Sequence, residues 1–370
     1  MNILFISHCA SRTGAPVVLY SFLSWLKKER EDISFELLLL NGGELEESFR
    51  VLCPVYYGWN VYTKTEKRLH RYLRYKLDAN KWKSFISVKK YDLIYANTVV
   101  SLPIGVELKN EYGIPLLLHL HESEVGYACM GLDDNILHQC DNFIVVSQPV
   151  RDVLKSRNVP SSKIHVIHPV SDTLLRNIGY SRTYEDKDCF SIGLVGYYGW
   201  TKGSDLLPLV ANCYRKKFPD MKCKFEWVGN FKKLNQLELN HDLELLGVMD
   251  MVEVLPKIPN PTEYYKRFDI FLLLSREDSF PLVVLENAAL GTPVVLFEHS
   301  SGLLDFFNNN KSALVVPFLD IDSLVDALYG LCSDRSIRER IGVGGKIVVS
   351  KIVAEEKPFQ KICSCVLAFS

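Results

Sequence analysis

The 370-residue chain lacks an excess of charge: 43 Lys and Arg stand against 44 Asp and Glu, for a formal net charge of −1. That balance argues against a nucleic-acid partner, which would call for a basic surface. No run of about 18 uncharged apolar residues occurs, so no membrane-spanning helix is expected. The opening "MNILFISHCA" lacks the basic start of a signal peptide, and its short apolar run reads as a strand. Zinc-type cysteine spacing is missing as well. Of ten cysteines only Cys363 and Cys365 are close, with one residue between them. Scattered thiols of this kind are expected to be buried and reduced, which places the protein in the cytoplasm. Low-complexity tracts are also missing.

What the chain does have is apolar content, 48% of residues, ample for buried cores. Short apolar runs recur between longer helical patterns. In the first half they are "ILFIS", "FELLLL", "DLIYA", "PLLLHLH", "NFIVVS" and "IHVIH"; in the second, "SIGLVG", "KFEWVG", "VEVLP", "IFLLLS", "PVVLF" and "ALVVP". Each is apolar along its length rather than alternating, as parallel strands covered on both faces must be. The pattern predicts an α/β fold of two doubly wound, Rossmann-like domains facing a deep cleft. Residues 1–171 form the first domain, 172–188 a polar linker, and 189–352 the second. The tail 353–370 is expected to return to the first domain as a helix. "GVGG", Gly342 to Gly345, reads as a turn.

Composition shifts most between Lys64 and Lys90. Ten Lys and Arg face only Glu66 and Asp78, with Leu69, Tyr72, Leu73 and Trp82 interleaved at near-helical spacing. Such a segment is either a solvated helix face or an interfacial helix drawn to anionic lipid, at about 1 kcal/mol per basic residue.

Two stretches carry the chemistry. In "LVGYYGWTKGSDLL", Gly193, Gly196 and Gly199 follow a strand, and Lys202 and Gly203 precede a helix. A glycine turn between strand and helix aims amide N–H groups at an anion, and Lys202 adds a charge. The same turn also suits a nicotinamide-binding domain, which would want an acid such as Glu226 for a ribose hydroxyl. The second stretch is "LSREDSFPLVVLENAALGTPVV", Leu274 to Val295. Ser275 to Asp278 end a strand, and Pro281 fits a first helical position. Asp278 and Glu286 lie eight apart, with Leu282 and Val283 on the Glu286 side by i+3/i+4 spacing. One ligand with a ribose, two phosphates and a sugar, lying across a helix N-terminus, would account for acids in both places; the alternative is that Asp278 is an N-cap and Glu286 a surface residue.

These stretches, together with "WVGN" (Trp227 to Asn230), "VLPKIPNPTEYYKRFDIFLLLS", "ISHCASRTGAP", "YANT" and "HLHE", resemble a family 4 retaining glycosyltransferase of the GT-B fold. The landmarks occur in family order over nearly the whole chain. The resemblance implies that Glu286 binds ribose and that Asp278 contacts the donor sugar near its reacting carbon. It implies that Lys202, beside Gly203, meets the diphosphate, that the Gly14 backbone followed by Ala15 approaches a phosphate, and that His121 contacts sugar hydroxyls. Backbone at Lys257 and Ile258 would meet the base. Arg276, Glu277, Ser279, Phe280, Leu282 and Val283 complete the expected donor-binding set, with His121, Asp278 and Lys202 as the catalytic residues.

The chain departs from the family pattern at three places. Asp278 stands for the usual Glu, leaving Glu277 as a rival; Tyr197 stands where many members have Arg; Pro281 replaces a glycine. Donor sugar and base stay open. No cofactor and no metal are expected, because the helix dipole and Lys202 would neutralise the leaving group. The implied partners are a nucleotide-sugar donor and a glycan or lipid-linked glycan acceptor, with peripheral contact to an anionic membrane through 64–90. The alternatives are a sugar-nucleotide 2-epimerase of the same fold and a nicotinamide-dependent oxidoreductase. Asp-x-Asp pairs at 186/188 and 320/322 read as a solvated pair and a helix N-cap respectively. His119 and His121 share a strand face without an evident third metal ligand.

Overall fold

The computed structural model describes residues 1–58, 90–258 and 261–370. They divide into two compact units, Met1–Ser171 with Glu356–Ser370, and Asp172–Glu355. The basic segment 64–90 falls, except for Lys90, outside the described residues.

The first unit is built on a parallel sheet of β1 (Asn2–Ser7), β2 (Ser34–Leu39), β3 (Val55–Tyr57), β4 (Leu93–Asn97), β5 (Leu116–Leu120), β6 (Asn142–Val145) and β7 (Ile164–Val166). Their spatial order is β3-β2-β1-β4-β5-β6-β7. Ile3, Leu4, Phe5 and Ile6 are all fully buried, which is why β1 shows no alternation. The edge strand β3, "VYY", was not anticipated from the sequence. It is three residues long, half-exposed, and follows Pro54, so it lacks the apolar run that marks its neighbours. The C-terminal helix Pro358–Leu367 packs on the helix Gly14–Glu29, where the Phe359 ring lies 6.3 Å from Phe22 and 6.0 Å from Trp25.

The second unit repeats the plan with β8 (Cys189–Val195), β9 (Lys222–Val228), β10 (Val252–Leu255), β11 (Ile270–Leu273), β12 (Val294–Phe297) and β13 (Leu314–Val316), in the order β10-β9-β8-β11-β12-β13. In both sheets the chain winds outward from the centre in one direction and then the other. Each therefore has a switch point, between β1 and β4 and between β8 and β11, where successive connections leave on opposite sides.

Two expectations need correction. The polar stretch Ser171–Asp188 opens with a helix, Asp172–Asn177, and lies against the second unit. Arg182 donates to the carbonyls of Leu290 (3.1 Å) and Phe268 (2.8 Å) and to Thr292 Oγ1 (2.8 Å), and Tyr184 Oη donates to Gly291 O (2.7 Å). Side-chain hydrogen bonds to backbone hold it there, and no apolar pattern records them. "GVGG" is not a turn but the middle of the helix Arg335–Glu356. A Cβ on Gly342 would stand 2.2 Å from Gly291 O, and one on Gly344 would stand 1.9 Å from Lys311 O. These glycines accept the helix cost of about 1 kcal/mol each so that backbone can approach backbone.

Candidate functional site

In the second unit the segments leaving β8 and β11 meet at the switch point. After β8 the chain forms a short 3₁₀ turn, Trp200–Lys202, closed by Gly203 at φ 67°. That left-handed conformation suits glycine, and space requires it too, since a Cβ there would stand 2.0 Å from Leu274 O at the end of β11. Across the same contact Arg276 N donates to Thr201 O (2.9 Å) and Arg276 Nη1 to Trp200 O (2.8 Å). This clamp brings Lys202 Nζ onto Asp278 Oδ2 as an ion pair, with the side chains 23% and 10% exposed. Asp278 is fixed in turn by its own N–H donating to Ser300 O (2.8 Å). Gly203→Ala is accordingly expected to cost roughly 2–4 kcal/mol, from left-handed strain plus overpacking. Thermal denaturation followed by hydrogen exchange in the second unit measures it.

Arg276, expected among the donor-binding residues, is already engaged. Its guanidinium forms a bidentate pair with Asp205 at 2.8 and 2.7 Å and stacks over Trp200 at 5.2 Å. The pairing holds the Asp205 carboxyl below its usual range. These contacts also brace the Lys202 loop. Glu277 is half-buried beside it, and of the two acids it is Asp278 that pairs with Lys202.

The following helix is Leu282–Ala289, and Pro281 sits at its N-cap rather than inside its first turn. No side chain caps it, and its first backbone bond runs from Val284 N to Pro281 O (3.1 Å). The amides before Val284 thus have no intrahelical acceptor, which is the arrangement that receives an anion. Glu286 is 7% exposed on this helix, four residues after Leu282 and three after Val283. Asn177 Nδ2 donates to its backbone carbonyl (3.0 Å), so the polar segment props this helix. Tyr265 is raised well above the usual phenol pKa, first by burial and then by the nearby Glu286 charge. Phe280 is buried edge-on to Phe306 at 6.2 Å, and Ser279 is half-buried. Lys257 and Ile258 are half-buried just past the end of β10.

Glu226 does not serve the nicotinamide reading. It pairs in register with Gly193, two residues short of the end of β9, and its oxygens accept from Ser191 Oγ (2.5 Å) and Tyr264 Oη (2.8 Å). An acid spent inside the sheet is not placed to take a ribose hydroxyl.

In the first unit the switch point lies where Ser7 and Asn97 stand side by side at the ends of β1 and β4. Gly14 opens the helix Gly14–Glu29 and is exposed, with no atom within 4 Å of where its Cβ would be. Thr13, its N-cap, gives no side-chain cap. Ala15 is half-buried and its carbonyl accepts from Asn97 Nδ2 (3.2 Å). His121 follows the end of β5, its Nε2 3.2 Å from Asn97 Oδ1 and its ring 4.1 Å from that of His119. Burial pushes the His121 pKa well below that of free imidazole, and His119 and His8 push it further. His119 is held at about 3 by burial, with Tyr95 Oη 2.6 Å from its Nδ1. Glu122 Oε2 accepts from Val99 N (3.2 Å) and His121 N (3.1 Å). Between Asn97 and the next helical turn, Thr98 sits at φ 86°, strain of about 1–3 kcal/mol for a β-branched residue. Its amide donates to His119 O (2.9 Å), and its hydroxyl lies 3.1 Å from His8 Nδ1.

Among the described residues no cluster of three or more His, Cys, Asp or Glu could hold a metal, and no helix is long and apolar enough to cross a membrane. Asp320 caps the helix Ile321–Ser333 by accepting from Ser323 N (3.0 Å), while Asp186 pairs with Arg338. Asn97, Glu122 and Asp205 were not singled out from the sequence. The available signal for Asn97 was its place in "YANT" at the end of a strand, which predicts position but not partners.

Two family descriptions match the chain: "Glycosyltransferase Family 4" over residues 12–173 and "Glycosyl transferases group 1" over 183–347. A D-inositol 3-phosphate glycosyltransferase of Paenarthrobacter aurescens is 24% identical over 274 residues, 68% of this chain and 67% of that protein. An uncharacterized glycosyltransferase of Haemophilus influenzae is 25% identical over 223 residues, 59% of this chain and 60% of its own length. The chain thus spans about two thirds or less of these relatives. Among solved structures, Anabaena HepE in complex with UDP and glucose superposes with a TM-score of 0.77 at 18% identity, over 98% of this chain and 99% of that one. Sucrose-phosphate synthase from Thermosynechococcus elongatus gives 0.75 at 17% identity, over the full length of both. At such identities the likeness concerns the fold.

Proposed function

Given that the chain is a GT-B glycosyltransferase, a family 4 half followed by a group 1 half, we propose that it moves a sugar from a nucleoside-diphosphate sugar to a glycan or lipid-linked glycan, with retention and without a metal. One observation carries this reading. The Lys202–Asp278 pair stands at the second unit's switch point, beside an uncapped helix N-terminus with Glu286 buried in the helix behind it. A diphosphate at those amides draws on the helix dipole and on Lys202, so the charge that builds on the leaving group is met by groups already in place. Glu286 takes the ribose hydroxyls, Asp278 the sugar, and backbone at 257–258 the base. The bond from the anomeric carbon to the diphosphate breaks as the acceptor oxygen bonds on the same face, and a departing phosphate oxygen takes the acceptor's proton. Uridine is the favoured base, since HepE is solved with UDP and with UDP-glucose. The basic segment 64–90 would bring the protein to the cytoplasmic face of an anionic membrane, where lipid-linked acceptors reside.

Thermal denaturation with UDP, GDP, ADP or NAD, each with and without EDTA, tests the reading. UDP is expected to stabilise the chain by about 2.7 kcal/mol at a hundredfold excess over Kd, regardless of EDTA. Glu286→Ala is expected to remove most of that shift. Stabilisation by NAD alone, or by none of the three diphosphates, would overturn the proposal.

A further inference from the structure

We propose that the helix Lys233–Leu245 is a dimerisation surface on which a second copy of this chain docks antiparallel, leucine row to leucine row. The helix connects β9 to β10 in the second unit and is anchored there by Leu239 and Leu243, each 1% exposed. Its opposite face carries Leu234, Leu237 and Leu245, which are 64%, 57% and 75% exposed, with exposed His241 among them. Steps of three, four and four residues put these four side chains in one row. Leucines exposed singly are ordinary on a protein surface. A row of them along a helix whose other face is already buried is the pattern of a helix that takes a partner.

The charges say which partner. Lys232 is the N-cap and Lys233 opens the helix, while Asp242 and Glu244 stand in its last turn. The first turn holds no acid and the last turn no base. Each end therefore carries the charge that the helix dipole disfavours. A second copy running antiparallel removes that conflict, because its acidic end meets this basic end and the two dipoles oppose. The contact is then isologous. With the two-fold axis level with Leu239 and Asn240, Leu234 lies against the partner's Leu245, and Lys233 falls on the same flank as the partner's Glu244. Glu238, which accepts from Asn235 Nδ2 (3.3 Å) within its own helix, comes level with the partner's His241. A parallel pair would set lysine on lysine and acid on acid. At 1.5 Å per residue the seam is about 20 Å long. Such an interface stands at the small end of the specific range, about 1,200 Å², so a micromolar dimer is expected.

The test is sedimentation equilibrium of the full chain from about 1 to 100 µM, which brackets a micromolar Kd. The mass is expected to rise from that of the 42.3 kDa monomer toward twice that value. Leu237→Glu puts an acid in the middle of the seam and leaves buried Leu239 and Leu243 in place. It should keep the wild-type circular dichroism and raise Kd about a hundredfold. Lys233→Glu and Glu244→Lys should each raise Kd about tenfold, since a symmetric dimer suffers each like-charge contact twice. Both changes in one chain should bring Kd back to the wild-type value. A chain that stays monomeric at the top concentration overturns the proposal, also where the same leucines bind phosphatidylglycerol vesicles instead. A dimer indifferent to Leu237→Glu, or one that the double variant does not restore, overturns it too.

Discussion

On the function proposed above, replacing Lys202 with Met is expected to lower kcat for turnover of the nucleoside-diphosphate sugar by about 10²–10³-fold, the usual loss when a preorganised charge facing the leaving group is removed. The ammonium does two things at this site. It neutralises Asp278, whose side chain is only 10% exposed, and it stands beside the amides that open the helix Leu282–Ala289. Met preserves the stem, which packs near Gly196, with Cγ 3.5 Å from where a Cβ there would sit. It removes only the charge. Asp278 is then left without its cation, so a fall in stability is expected beside the kinetic loss. The double variant Lys202→Met/Asp278→Asn separates the two effects. It should regain stability and stay inactive, as steady-state kinetics and thermal melts on the same samples would record. Asp278→Ala alone is also expected to be slow. If it turned over normally while Lys202→Met did not, the role assigned to Asp278 would be lost.

Acid should loosen the first unit before the second, because of His119. Its pKa is about 3 in the folded chain against 6.5 for a free imidazole, with burial as the cause. A base whose folded pKa is depressed is neutral in the native state while the unfolded chain takes up protons. Its contribution is therefore present above pH 6.5 and is lost progressively as pH falls toward 3. Each unit of depression corresponds to about 1.4 kcal/mol, so several kcal/mol ride on this one ring. His121 is depressed in the same direction. Cys9 is lowered as well, against burial, by its hydrogen bonds to His8 and Ser11, while two groups at this sheet end act in the opposite sense. His8 is raised, by Cys9 and Glu122 against the effect of burial, and Glu122 is raised by burial itself. Each of those two favours the folded state at low pH and loses that contribution as pH rises through its folded pKa. His119→Gln removes one titration and keeps a hydrogen-bonding partner for Tyr95. Hydrogen exchange in β4 and β5, corrected for intrinsic rates and followed from pH 7 to pH 4, should show a shallower decline in the variant than in wild type. Parallel curves would mean that the ring is not the buried neutral base described here.

What was legible in the sequence, and what was not, divides along a physical line. Strands covered on both faces must be apolar throughout, and apolar runs marked twelve strands and announced two parallel sheets. The edge strand Val55–Tyr57 did not stand out, since it is only three residues long and none of them is fully buried. Glycine and proline marked the loop at Gly203 and the helix start at Pro281, because backbone conformation is written locally. The same local reasoning failed at Gly342–Gly345, where glycine answers to a neighbouring backbone rather than to a bend. The order of motifs, and with it the glycosyltransferase family, could be read because spacing survives as sequence drifts. Side-chain partnership could not be read this way. That Lys202 meets Asp278 76 residues away, that Arg276 is taken by Asp205, that Glu226 is spent on Ser191 and Tyr264, and that Asn97 joins Ala15 to His121 are outcomes of strand order at the two switch points. The sequence by itself determined which elements form and which family they belong to, since those depend on local periodicity and spacing. Only the tertiary structure decided which polar groups meet, because a hydrogen bond depends on distances of a few tenths of an ångström between residues that the chain keeps far apart.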